Sequence, residues 1–160
     1  VHSLAHPLLR FQSSDRLARG GVGFETIMHD CNVLTGWGGM ILGALLGMVF
    51  GLRAESRQWA GGYGSFQRQA LRLAHVAAFA LGMINVLYGS STRALDLLPP
   101  WAVVTGSAAM IAGGLLMPAV CLAAAWRRPL KLLFPLPASC VLAALTIQAW
   151  AWCRLVAAGG

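Results

Sequence analysis

The sequence predicts an all-α integral membrane protein, a bundle of four helices preceded by a short amphipathic segment. Three observations carry this. Hydrophobic residues make up 58% of the 160, and charged residues only 11%, about half the share found in soluble domains. The charges leave four uncharged runs, residues 31–52, 73–92, 97–126 and 132–153, and each reaches the roughly 20 residues that cross a bilayer as a helix. Tryptophans fall where such spans end: Trp59 and Trp126 on one side, Trp101, Trp150 and Trp152 on the other, as expected of interfacial anchors. This composition excludes a disordered chain, a disulfide-stapled module and an ordinary cytosolic enzyme.

Residues 1–30 read as a separate surface segment. Leu4, Leu8, Leu9 and Phe11 alternate with Arg10, Arg16 and Arg19, which fits a short helix lying on the membrane, and Gly20, Gly21 and Gly23 end it. The segment has no apolar core of the signal-peptide kind, so it reads as mature sequence. The bundle proper occupies residues 31–156. Its spans run from Cys31 to Leu52, Leu71 to Ser90, Trp101 to Trp126 and Leu133 to Leu155, and Pro99-Pro100 and Arg127-Arg128-Pro129 punctuate two of the connectors.

The net charge of +7 flanks apolar spans, so its expected partner is the anionic lipid surface of the bilayer and not nucleic acid. Arg53, Arg57, Arg68 and Arg72 surround the first connector, and Arg127, Arg128 and Lys131 the third. The positive-inside rule then places both termini outside, in a membrane of the bacterial inner type. Cys31, Cys121, Cys140 and Cys153 lie in or beside apolar runs without CxxC spacing, which argues against a disulfide framework.

Gly39, Gly43, Gly47 and Gly51 recur every four residues in the first span. A stripe without side chains lets another backbone approach closely, the packing device of helices in lipid; its partner is the third or fourth span, or another protein. Gly113-Gly114 and Pro118 predict a kink in the third span, because proline clashes with the carbonyl four residues earlier.

His75 is the one ionisable side chain placed well inside a span, and such a residue is a functional candidate by default. Counting roughly 1.5 Å per residue from the inner ends, His75 and Cys121 lie about 8 Å deep and Met117 about 13 Å. Met117 and Cys121 share a helix face, being four residues apart. Imidazole, thioether and thiol at a common depth suit a haem b or a soft metal, with Arg72 one turn away to pair with a haem propionate. His29 and Cys31, beside Asp30, form a second candidate metal pair, although an N-terminal cap by Asp30 explains that cluster more simply. His29 and His75 begin consecutive antiparallel helices near opposite membrane faces, so they cannot clamp one haem.

No carboxylate falls within a span, and no acid–base pair, nucleophile with a base, or phosphate loop is present. The expectation is therefore a small non-catalytic membrane subunit or accessory protein of a larger complex, respiratory or redox in type, held by other subunits or by self-association. The alternative is a haem- or copper-binding electron-transfer protein using His75 and Met117.

Overall fold

The structure, a computed structural model, describes residues 23–95 and 99–159. Four long helices account for most of them: α1 (Phe24–Arg53), α2 (Phe66–Leu95), α3 (Pro100–Trp126) and α4 (Pro135–Gly159). All four are long and apolar enough to cross a membrane, so the all-α four-helix bundle is the observed fold. The amphipathic segment lies almost wholly outside the described residues. α1 begins at Phe24 and carries its helix through residues 24–30, ahead of the expected start at Cys31.

Local chemistry sets the ends. Gly23 precedes α1 without a side-chain cap, so Asp30 is an interior helical residue and not the cap. The α1–α2 connector holds a short 3-10 turn, Trp59–Gly61; Ala60 and Gly61 within it and Gly62 just after it take positive φ. Pro100 opens α3 at a position where its missing N–H removes no helical bond. Pro129 lies in a 3-10 helix, Arg128–Leu133, that leads into α4.

α1 packs along α2 and also touches α3; α2 packs on α3, and α3 on α4. Contact between α2 and α4 is slight, and α1 and α4 flank the central pair without packing on each other. In the most apolar stretch of each helix, 39% of residues are buried in α2 and in α3, against 11% in α1 and in the fourth span. The interior is built from small side chains, with Ala74, Ala102, Ala124 and Ala144 fully enclosed. Small residues bring backbones close, which is where helices in lipid gain their packing energy.

Candidate functional site

The glycine stripe of α1 meets α2, its neighbour in sequence, and neither of the two later spans. A methyl group added at Gly43 would lie 2.6 Å from the backbone nitrogen of Phe79, and one at Gly39 would lie 3.1 Å from the Ala78 carbonyl oxygen. At Gly47 the neighbour is His75, whose Cδ2 would be 3.2 Å away, whereas nothing lies within 4 Å of Gly51. Gly36 extends the seam instead, where an added methyl group would lie 2.6 Å from the Gly82 carbonyl oxygen, and Gly89 faces Asn32 and the His29 carbonyl farther along. The contact therefore uses glycines from both helices. Gly82 and Gly89, seven residues apart on α2, are its trace in the sequence.

His75 is set by this seam. Its ring meets Phe50 edge-on, 6.2 Å between centroids, and its Nδ1 is buried with no hydrogen-bond partner in the protein. Met117 lies elsewhere, lining a cleft between α2 and α4 with Leu73, Ala77 and Leu81. Leu73 and Ala77 stand two residues either side of His75, a rotation of roughly 200° around the helix. The structure therefore puts His75 and Met117 on different sides of α2 and does not bring them together. Cys121 is fully enclosed in α3 and Cys140 half-buried in α4. Arg72 is exposed, 6.0 Å from the Tyr63 ring.

At the opposite end, His29 is buried and Cys31 half-buried. Asp30 forms an exposed ion pair with Arg93, tying α1 to α2. Among the described residues, no three His, Cys, Asp or Glu side chains converge as a metal site would require.

A polar layer occupies the half of the bundle nearer this end. Asn85 donates from Nδ2 to the carbonyls of Leu81 at 3.0 Å and Met110 at 3.4 Å, bridging α2 and α3. Gln148 donates to Ser91 Oγ at 3.0 Å, which links α4 to α2, and Ser91 donates in turn to the Tyr88 carbonyl. Gly114 makes room for the Asn85 amide and Gly106 for the Tyr88 hydroxyl. The side-chain oxygens of Asn32, Asn85, Tyr88, Ser107 and Gln148 are buried without a partner in the protein. These uncharged groups suit interhelical hydrogen bonding.

Arg68 departs furthest from expectation. The sequence places it among the basic residues of the first connector, yet it is 1% exposed. Its Nη2 donates to the Ala54 carbonyl at 2.7 Å, just past the C-terminal end of α1, and its guanidinium covers Tyr63 at 3.9 Å and Trp59 at 5.7 Å. A cation on the negative end of a helix dipole, over two aromatic faces, holds the connector in place. Ser65 completes it, donating to the Ala60 carbonyl and accepting from the Arg68 N–H.

Comparison with protein-family models, curated proteins and solved structures finds no match. What the chain shows by itself is its class, a four-helix all-α protein whose apolar helices suit contact with a lipid bilayer.

Proposed function

We propose that this chain is a small non-catalytic membrane subunit that assembles with other polypeptides of a larger complex, respiratory or redox in type. The observation that carries the reading is the uneven burial of the spans: 11% in the apolar stretch of α1 against 39% in the central helices. α1 spends its glycine face on α2 and leaves Leu34, Trp37, Ile41, Leu45, Met48 and Leu52 exposed in a stripe of helical period. Lipid satisfies such a stripe, and so does an apolar helix of another subunit.

The test is the size and composition of the particle extracted in mild detergent from native membranes. A fixed stoichiometry with at least one other membrane polypeptide is expected, lost when Ile41 and Leu45 are both replaced by tryptophan. A particle containing this chain alone would overturn the reading.

A second reading, haem b or copper bound through His75, rests on the buried, unpartnered Nδ1. With Met117 across the helix, the other axial ligand would come from another polypeptide. A Soret band that His75→Ala removes and His29→Ala leaves intact would favour it.

A further inference from the structure

The slight contact between α2 and α4 leaves a groove along their seam, and two cavities follow one another within it. One, of about 450 Å³, is an open and wholly apolar cleft lined by Leu73, Ala77, Leu81, Met117, Phe134 and Ala138, among others. The other, of about 340 Å³, lies at the connector end between Gly64, Phe66, Arg128 and Lys131. Helical register sets their linings along one line. Phe66, Leu73, Ala77 and Leu81 recur on α2 at intervals of seven, four and four, and across the groove Lys131 is followed by Phe134 and Ala138 at three and four.

We propose that this groove is a binding site for one anionic glycerophospholipid. The chemistry divides as the molecule does. Arg128 and Lys131 supply two cations for the phosphate and its anionic headgroup, and the nearby N-terminal end of α2 adds a positive dipole. The floor beyond them offers no polar group, which matches an acyl chain. Lengths agree as well: from Phe66 to Leu81 a helix rises roughly 22 Å, enough for a headgroup plus the roughly 15 Å of one hydrocarbon leaflet. Charge complementarity selects an anionic lipid. Around the two basic connectors Arg53, Arg57, Arg68, Arg72, Arg127, Arg128 and Lys131 stand against Glu55 alone.

The test uses the full chain in vesicles of equimolar phosphatidylglycerol and phosphatidylcholine with identical acyl chains, extracted in mild detergent, with bound lipid counted by native mass spectrometry. Wild type is expected to retain phosphatidylglycerol over phosphatidylcholine by at least about fivefold, the gain of a single basic residue near an anionic headgroup. Arg128→Gln with Lys131→Gln should bring the ratio to parity. Both side chains are exposed, and circular dichroism confirms the helices. Arg53→Gln with Arg57→Gln, equally exposed but outside the groove, should keep the preference. Ala138→Trp, filling the cleft from its rim, should lower retention of both lipids.

Parity in wild type, an unchanged ratio in the Arg128/Lys131 variant, or an equal loss in the Arg53/Arg57 variant would overturn the proposal, the last by showing diffuse surface charge. Full retention in Ala138→Trp would overturn the acyl half. Displacement of the lipid by inorganic phosphate alone would reassign the basic cavity to a free anion.

Discussion

Gly43 and Gly51 look alike in the sequence and differ in what surrounds them. At Gly43 a single methyl would press on the Phe79 backbone at 2.6 Å, an atom that cannot swing aside, whereas at Gly51 it would meet open space. Gly43→Ala is therefore expected to destabilise the bundle by about 1–3 kcal/mol, the usual cost of overpacking. Gly51→Ala should be neutral or stabilising by up to about 1 kcal/mol, because alanine is the better helix former. Thermal unfolding in detergent, followed by circular dichroism, compares the two, and equal effects would mean that the seam does not set stability. Arg68 gives a second contrast. Its Ala54 bond and its place over Tyr63 are favourable, but its buried Nε and Nη1 have no partner in the protein. Arg68→Ala should then cost only about 2 kcal/mol, less than the sum of its contacts, while Arg93→Ala, breaking an exposed pair, should cost at most about 1 kcal/mol.

At the scale of elements, the number, length and class of the helices were legible because hydropathy and charge spacing record them directly. What was not legible is rotation about each helix axis. His75 and Met117 were matched by depth, and depth holds no information about azimuth; the structure turns one toward α1 and the other toward α4. The partner of the α1 stripe was missed for a related reason, since Gly82 and Gly89 are spaced by seven and form no repeat of four. The polar start of α2 concealed Arg68: Gln67, Arg68, Gln69 and Arg72 read as a loop, although they form the first turns of a helix. α4 is the element held least firmly, resting on α3 through Gly113, where an added methyl would lie 2.5 Å from Val141 Cγ2 and 3.1 Å from the Pro137 carbonyl oxygen. Gly113→Leu should therefore speed amide exchange throughout α4 and leave the α1–α2 seam protected. Equal loss of protection in both would show that the bundle opens as one cooperative unit.

For the whole molecule, the arrangement of charge relative to the helices decides how the chain would sit in a bilayer. The described ends differ sharply: seven basic residues and Glu55 surround the two basic connectors, whereas Glu25 and Asp30 accompany Arg93 and Arg154 at the other end. The burial of Arg68 removes one freely solvated charge from the first group, but six remain, and five of them lie within a few residues of a helix end, where their effect on orientation is greatest. The connectors are thus expected on the cytoplasmic side, with the start of α1 and the end of α4 outside. Ser65 is a poor reporter because its hydroxyl is engaged in the connector; Gln58 and Ala157 are exposed and lie at opposite ends. On a background with all four native cysteines replaced by serine or alanine, Gln58→Cys should react with a membrane-impermeant maleimide only after the cells are permeabilised. Ala157→Cys should react in intact cells. The reverse pattern would invert the protein, and reaction of both in intact cells would mean that an even number of the three helices between the two positions crosses the membrane.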